Sequence, residues 1–351
     1  AFPRETVKMK GAMIARSPSK WQGPGAEPWQ LALQTVVSDG GELLDLLDLA
    51  PPSLPIDRGQ PFSLRVPRAF VARMQRGAQD DPLLKQVLPL LAESEAHAEF
   101  TADPLSEVTA VPGLIHKYHG RVLLLVTGHC AIHCRYCFRR HFPYAASQPS
   151  RTSWSQAFDY IRRDPSLCEV ILSGGDPLSA PDRHLQWLID QIETIEHVRR
   201  LRIHSRLPVV IPQRATPELI TMLSRTRLQA SLVIHANHAQ ELDDSVAAAL
   251  APLRAAGVTL LNQSVLLAGV NDDADALSAL SERLFEIGVL PYYLHLLDRV
   301  AGAAHFAVDE ARVHALHDAL LARLPGYLVP RFVREVPHEA SKQPFLAARE
   351  R

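Results

Sequence analysis

Three of the four cysteines lie within eight consecutive positions, in the segment HCAIHCRYCFRRHFPY at residues 129–144. Cys130, Cys134 and Cys137 have the spacing C-x3-C-x2-C. Such a cluster is unlike a disulfide framework, in which the cysteines are spread along the chain. The spacing restricts the segment to a zinc site, a redox thiol site, three cysteines without a ligand, or the binding loop of an iron–sulfur cluster.

Zinc and redox chemistry fit this segment poorly. A structural zinc ion needs four ligands, usually in two separated pairs, so Cys168 or His133 would have to supply the fourth. Cys168 precedes the second predicted strand, at the end opposite the cluster. A thioredoxin-like pair explains neither the third cysteine nor its context. Three thiolates can instead hold a [4Fe–4S] cluster and leave one iron open for another ligand.

From Arg121 onward, six β-rich runs alternate with amphipathic helical stretches. After a longer first interval the runs recur every ~30 residues, which is the size of a β/α unit. This alternation predicts a parallel sheet covered by helices, either doubly wound or a partial barrel, with functional residues at the carboxyl ends of the strands. Cys130 stands three residues after the first run, where such a site belongs. The runs are RVLLLVT (121–127), EVILSG (169–174), RLRIHS (200–205), SLVIHA (231–236), TLLNQSVLL (259–267) and PYYLHLL (291–297).

The chain before about residue 110 has a different pattern. Apolar residues occur at helical spacing in 29–49 and 80–100, separated by connections rich in proline and glycine. We therefore predict an N-terminal helical region at 1–110, an α/β unit at 111–328 and a short C-terminal segment at 329–351.

The composition excludes several classes of protein. The 37 basic and 38 acidic residues give a formal charge of −1, which offers no electrostatic footprint for nucleic acid or an anionic membrane. No apolar stretch is long enough to span a bilayer, and the first residues lack the apolar core of a secretory signal. Clustered rather than dispersed cysteines favour a reducing cytoplasm.

The cysteine spacing, on the loop after the first strand of a β/α barrel, resembles that of the radical S-adenosylmethionine (SAM) superfamily. The resemblance implies a partial (β/α)6 barrel in which a [4Fe–4S] cluster binds SAM through its open iron. The segment SGGDP after the second strand matches the position of the superfamily's Gly-Gly-acid turn. On this resemblance, Ser173, Gly174, Gly175 and Asp176 bind SAM, because glycines permit close backbone approach and the carboxylate opposes the methionyl ammonium.

Longer segments are similar to the lysine 2,3-aminomutase family from about Arg65 to the C-terminus. They include LRVPRAF (64–70), PGLIHKYHGRVLLLVTGHCAIHCRYCFRRHFPY (112–144), LSGGDPL (172–178), RIHSRLPVVIPQRAT (202–216), LLNQSVLLAGVND (260–272), PYYLHLLD (291–298) and SKQP (341–344). Membership implies pyridoxal 5′-phosphate (PLP) as a second cofactor, which needs a lysine for covalent attachment and cations for its phosphate.

The resemblance assigns the PLP residues by position. Lys342, in the C-terminal segment, matches the attachment lysine, although PHEAS precedes it where the family has a glycine run. Lys117 and Arg121 match the phosphate contacts, and Tyr118 lies beside the ring. The family more often has arginine at the position of Lys117. Lysine offers the phosphate a compact ammonium in place of a planar guanidinium that can form two parallel hydrogen bonds. A solvated basic strand edge is the alternative for Lys117.

The same resemblance assigns the substrate and further SAM contacts. Arg139 matches the arginine that binds the substrate carboxylate, and Asp298 and Glu335 match the acids that bind the ε-ammonium of L-lysine. Glu335 occupies a position at which the longer, fermentative lysine aminomutases have Asp. His235 and Gln263 match positions around SAM, with structural roles as the alternative.

The implied reaction is migration of the amino group of L-lysine from C2 to C3, which gives β-lysine. The segments HCRYCFRRHFPY and IHKYH and the nine residues after Lys342 are most like the bacterial aminomutase that serves elongation factor P. That resemblance implies (R)-β-lysine as the product, a separate lysine ligase that attaches it to the factor, and a reductant such as flavodoxin or ferredoxin. A catabolic lysine aminomutase, an aminomutase for another amino acid and a non-catalytic metal-stabilised binding module are the alternatives.

Overall fold

The computed structural model describes residues 27–50, 54–57, 59, 62–107, 109–142 and 151–345. These residues form an α/β fold around a ten-stranded sheet in which each strand pairs with the next along the chain. Strands β3 to β9 are parallel to one another. Within the described chain, β1 and β10 are the edge strands of the sheet. The architecture is a partial barrel, as predicted. The strands are β1 (Thr109–Val111), β2 (Leu114–Tyr118), β3 (Arg121–Thr127), β4 (Glu169–Gly174), β5 (Arg200–Ser205), β6 (Gln229–Ile234), β7 (Thr259–Val265), β8 (Leu290–His295), β9 (Arg331–Arg334) and β10 (Gln343–Pro344).

Helices follow the parallel strands. The helix at 182–193 shows the amphipathic pattern, since its buried residues recur at helical spacing: Leu185, Leu188, Ile189 and Ile192. Aspartate side chains cap the starts of three later helices. The helices are α1 (Pro28–Gln34), α2 (Gly40–Leu46), α3 (Arg68–Val71), α4 (Pro82–Lys85), α5 (Arg151–Arg163), α6 (Asp182–Glu193), α7 (Leu207–Val210), α8 (Pro217–Arg225), α9 (Asp244–Ala255), α10 (Ala274–Glu286) and α11 (Glu310–Arg323).

Additional strands extend the six predicted units at both edges. Strand β2 pairs antiparallel with β3 as a hairpin, and β9 pairs parallel with β8 before β10 turns back on it. The runs at 121–127, 169–174 and 200–205 coincide with β3, β4 and β5 residue for residue. The division into 1–110, 111–328 and 329–351 stays a prediction, and residues 1–26 and 346–351 lie outside the described residues.

The N-terminal region consists of short helices, and a buried ion cluster joins it to the cysteine segment. Glu93 accepts hydrogen bonds from Arg135 Nη2 at 2.5 Å and from Arg140 Nη2 at 2.7 Å. Both guanidinium groups lie 4.9 Å from the ring centre of Phe62. Because all three charged side chains are buried, removing Glu93 would leave two uncompensated cations. The region therefore fixes the loop that carries the cysteines.

Within the described chain, no helix combines the length and apolar character needed to cross a membrane.

Candidate active site

The cysteine loop follows β3 at the carboxyl edge of the sheet. It is folded on itself by backbone hydrogen bonds from Cys137 N to Cys134 O at 3.0 Å and from Arg140 N to Cys137 O at 3.1 Å. Arg65 O accepts from His133 N at 2.9 Å, and the N-terminal region thereby holds the loop from outside. All three cysteines are partly buried.

The three thiols influence one another electrostatically. Burial and the neighbouring thiols raise the pKa of Cys130 well above its ordinary value, and burial and Cys134 raise the pKa of Cys137 to about 11. The described residues contain no group of three or more Cys, His, Asp or Glu arranged around a single metal ion. Three gathered sulfur donors next to cationic side chains fit a cluster, whose iron supplies the positive charge that thiolates need.

The turn at 173–176 packs directly on the cysteine loop, and its glycines permit the contact. Gly175 N donates to Thr127 O at 2.7 Å, and Asp176 N donates to His129 O at 2.8 Å. A Cβ on Gly174 would lie 2.5 Å from Thr127 O, and one on Gly175 would lie 2.4 Å from His129 O. Side chains at either position would separate the turn from the loop.

The carboxylate of Asp176 is used within the protein. One oxygen accepts from Ser205 Oγ at 2.7 Å and from Leu178 N at 3.1 Å, and the other accepts from the backbone N–H of Arg206 at 2.8 Å and of Leu207 at 3.0 Å. These bonds use the four acceptor positions of a carboxylate. They indicate a structural role that joins β4 to β5, so its predicted contact with the methionyl ammonium stays an untested prediction that the geometry does not favour.

A second charged group surrounds Glu335, just after β9. Lys117 Nζ and Tyr118 Oη donate to the same oxygen of Glu335 at 2.8 and 2.6 Å, and Lys342 Nζ donates to the other. Lysines 342 and 117 keep the pKa of Glu335 well below its ordinary value despite partial burial, which by itself raises it. The guanidinium of Arg121 lies 4.6 Å from the ring centre of Tyr118. The four predicted PLP residues are thus brought together, with Arg121 at the start of β3.

Arg139 is held by an acid that the sequence analysis did not identify. Its Nε and Nη2 donate to the two oxygens of Glu107 at 2.7 and 2.8 Å. Its Nη1 lies 3.3 Å from Gly174 O and 3.4 Å from Ser173 Oγ. The predicted carboxylate-binding arginine therefore lies at the glycine turn, between the cysteine loop and the interior of the barrel.

Asp298 connects these groups. It follows β8, and burial raises its pKa to about 7, although Lys342 lowers it. The carboxylates of Glu335 and Glu107 also raise this pKa. Asp298 therefore lies within electrostatic range of the charges around Glu335 and of the Arg139–Glu107 pair. This is expected if the two sets of residues form one site.

The interior also contains two histidines that the sequence analysis missed. Burial together with nearby cations, Lys342 among them, lowers the pKa of His204 on β5 well below its ordinary value and that of His295 on β8 to about 3. Both stay neutral at physiological pH. For His204, the alternation of apolar and polar residues along β5 was the available signal.

The remaining predicted SAM contacts differ in their surroundings. His235 follows β6, and its Nε2 lies 2.8 Å from Tyr136 Oη with the two rings stacked. Gln263 lies on β7, in register with Tyr293 of β8. Roles in SAM binding stay predictions for both residues.

The fold, the three-cysteine loop and the glycine turn that packs on it match the pattern expected of a radical SAM enzyme. The chain is 52 % identical over 325 residues to the L-lysine 2,3-aminomutase of Escherichia coli (strain K12), covering 92 % of this chain and 95 % of that protein. It belongs to the L-lysine 2,3-aminomutase family and is an isomerase of that type.

Two further relatives have the same name. The identity is 48 % over 318 residues with the L-lysine 2,3-aminomutase of Haemophilus influenzae, covering 90 % of this chain and 94 % of that protein. The identity is 41 % over 271 residues with the L-lysine 2,3-aminomutase of Clostridium subterminale, covering 76 % of this chain and 65 % of that protein. A radical SAM methyltransferase from Sphaerobacter thermophilus has a TM-score of 0.46 at 17 % identity, covering 63 % of this chain and 68 % of that one. No family model matches the chain.

Proposed function

We propose that this protein converts L-lysine to (R)-β-lysine for the modification of elongation factor P. The observation that carries the lysine assignment is the set of buried charges: Arg139 Nη1 lies 3.3 Å from Gly174 O at the glycine turn, and Glu335 accepts from Lys117 and Lys342. Arg139 can pair with a carboxylate, and Glu335 and the buried Asp298 can accept from an ammonium. L-lysine carries those two charges at its two ends.

Cys130, Cys134 and Cys137 would hold a [4Fe–4S] cluster, with SAM at the turn 173–176. When bound, this pair supplies the radical that removes and returns a hydrogen atom of the substrate. The protein places the turn against the loop through two backbone hydrogen bonds and surrounds the cysteines with buried side chains. A fixed geometry and exclusion of water are the protein's contributions to such chemistry.

Lys342 would carry PLP, with Lys117 and Arg121 at its phosphate and Tyr118 beside its ring. When bound, PLP supplies the group that accepts the migrating amine. Lys342 would use for PLP the same Nζ that donates to Glu335 in this structure, so Glu335 would then be open to another cationic donor. The ε-ammonium of the substrate can replace that donor, which gives Glu335 and Asp298 their proposed role in recognising lysine.

The role in elongation factor P modification rests on resemblance. The segments HCRYCFRRHFPY and IHKYH support it. The product's handedness rests on the same resemblance.

The test is anaerobic incubation of reconstituted protein with L-lysine, SAM, PLP and dithionite, followed by chiral separation of the products. We expect (R)-β-lysine, and transfer of this product to elongation factor P when the factor and its lysine ligase are added. A predominantly (S) product would contradict the elongation factor role. Faster turnover of glutamate than of lysine would contradict the substrate assignment.

A further inference from the structure

A buried arginine outside the predicted site lies against one of the cysteines. Arg206 follows the last residue of β5, and its backbone N–H is fixed by Asp176 Oδ2 at 2.8 Å. Its side chain is buried and runs beneath the cysteine loop. The Nη1 atom donates to Cys134 Sγ at 2.8 Å and to Tyr136 Oη at 2.8 Å. Arg206 therefore joins the glycine-turn acid to a cysteine of the loop.

The other end of the guanidinium is held by a buried acid. Arg206 Nη2 donates to Glu241 Oε2 at 2.9 Å and to Gln86 Oε1 at 2.7 Å. Glu241 is itself fixed, because its other oxygen accepts from Asn237 N at 2.8 Å and from Gln86 Nε2 at 3.1 Å. The guanidinium thus has one orientation, with Nη1 toward the sulfur and the compensating carboxylate on the far side.

We propose that Arg206 is a positioning residue that sets the reduction potential of the cluster through its hydrogen bond to Cys134. This inference rests on the proposed assignment of the cluster to the three cysteines. Reduction adds one electron, taken from a low-potential donor such as dithionite or a flavodoxin, and breaks no bond. The added negative charge is shared with the thiolates, so a donor and a positive charge at a ligand sulfur stabilise the reduced state. Burial limits the screening of this charge by water.

The experiment compares Arg206→Gln with a matched buried arginine. Arg214 is also fully buried, pairs with Asp182 at 2.5 Å and has its guanidinium 4.5 Å from the ring centre of Trp29. Among the described residues it bonds Leu178 O and Asp182 and no cysteine, so Arg214→Gln controls for loss of a buried cation. Each reconstituted protein is analysed for iron and sulfide, and its midpoint potential is measured by a redox titration followed by electron paramagnetic resonance.

Arg206→Gln should bind as much iron as the parent and have a more negative midpoint potential. Loss of a charge-assisted bond predicts a change of about tenfold in the ratio of reduced to oxidised cluster at fixed potential, or about 59 mV for one electron. Arg214→Gln should have the parent potential. An unchanged potential in Arg206→Gln would overturn the inference.

A second variant keeps the inference testable if Arg206→Gln does not assemble a cluster. Glu241→Gln retains the bond from Arg206 to the sulfur but removes the carboxylate that balances the guanidinium, so its potential should become more positive. A negative or absent shift in this variant contradicts the proposed role. If the parent protein binds no iron at all, the cluster assignment itself fails. If the parent binds iron but has the same midpoint potential as Arg206→Gln, only the role of Arg206 fails.

Discussion

Arg139 and Glu107 form a two-bonded ion pair, in which Nε and Nη2 of the guanidinium each donate to a different carboxylate oxygen. The two side chains are 7 % and 11 % exposed, so water screens the pair only weakly. The carboxylate of Glu107 thereby holds Arg139 in the manner proposed for the carboxylate of the substrate. Substrate binding at Arg139 then requires an exchange of one carboxylate for another.

Replacing Glu107 with Gln should strengthen the binding of L-lysine, because the amide competes less well for the guanidinium. A charge-assisted hydrogen bond contributes about 1.5–3 kcal/mol, so we expect the KM for L-lysine to fall by about tenfold with a small change in kcat. Steady-state kinetics measure both. Glu99→Gln is the control, since Glu99 pairs with Arg299 in an exposed position. A higher KM in Glu107→Gln would instead show that Glu107 orients Arg139 for the substrate.

Lys342 should be the residue to which PLP is attached. Borohydride reduction of the PLP-loaded protein, followed by peptide mapping, should find the cofactor on Lys342, and Lys342→Ala should carry none. Lys117→Ala is the matched control, because Lys117 binds the same carboxylate at 2.8 Å. It should keep the covalent attachment while its Kd for PLP rises about tenfold through loss of a charge-assisted phosphate contact. Attachment at another lysine in both variants would refute the assignment.

The order of strands and helices could be predicted from the sequence because it follows from local patterns. Near-continuous apolar runs gave the bounds of β3, β4 and β5. The short strand β2 lacked this signal, since only its first half is buried and its Lys117 and Tyr118 are only partly so. Strand β10 has two residues, too few for any periodicity.

The partners of the charged side chains could not be predicted in this way. Lys117 and Glu335 are separated by 218 positions, and Arg206 and Cys134 by 72. Their contacts depend on how the hairpin, the barrel and the last strands pack, and no spacing in the sequence encodes that. Resemblance predicted Glu335 as a site residue but not its bonds, and it made no prediction for Glu107 or Arg206.

The cluster should depend on Cys134 and not on Cys168. Anaerobic reconstitution of the parent should give about four irons and four sulfides per chain, and Cys134→Ala should lose them. Cys168 lies at the opposite end of the sheet, where its Sγ is 3.4 Å from Gly120 O, so Cys168→Ala should assemble a normal cluster. Iron and sulfide analysis with the visible spectrum measures both variants. Stoichiometric zinc in place of iron in the anaerobic parent would refute the assignment.

Asp298 should make the recognition of lysine depend on pH. Burial raises its pKa to about 7, so the carboxyl is neutral at lower pH and attracts the ε-ammonium only when ionised. The kcat/KM for L-lysine should therefore rise with pH and level off above about 7. One pH unit below the pKa about a tenth of the groups are ionised, which predicts a loss of about tenfold.

Asp298→Asn supplies the matched control for this pH dependence. It should abolish the inflection and lower kcat/KM at pH 8 by roughly 30-fold to several thousand-fold, since losing one partner of a buried charge pair costs about 2–5 kcal/mol. The sign for stability is the opposite of that for binding. A carboxyl whose pKa is raised in the folded state favours folding at low pH, and this contribution is lost as the pH rises through 7. The Tm of the parent relative to Asp298→Asn should therefore fall between pH 5 and pH 8. A parallel pH profile of kcat/KM in the two proteins would show that Asp298 does not bind the ammonium.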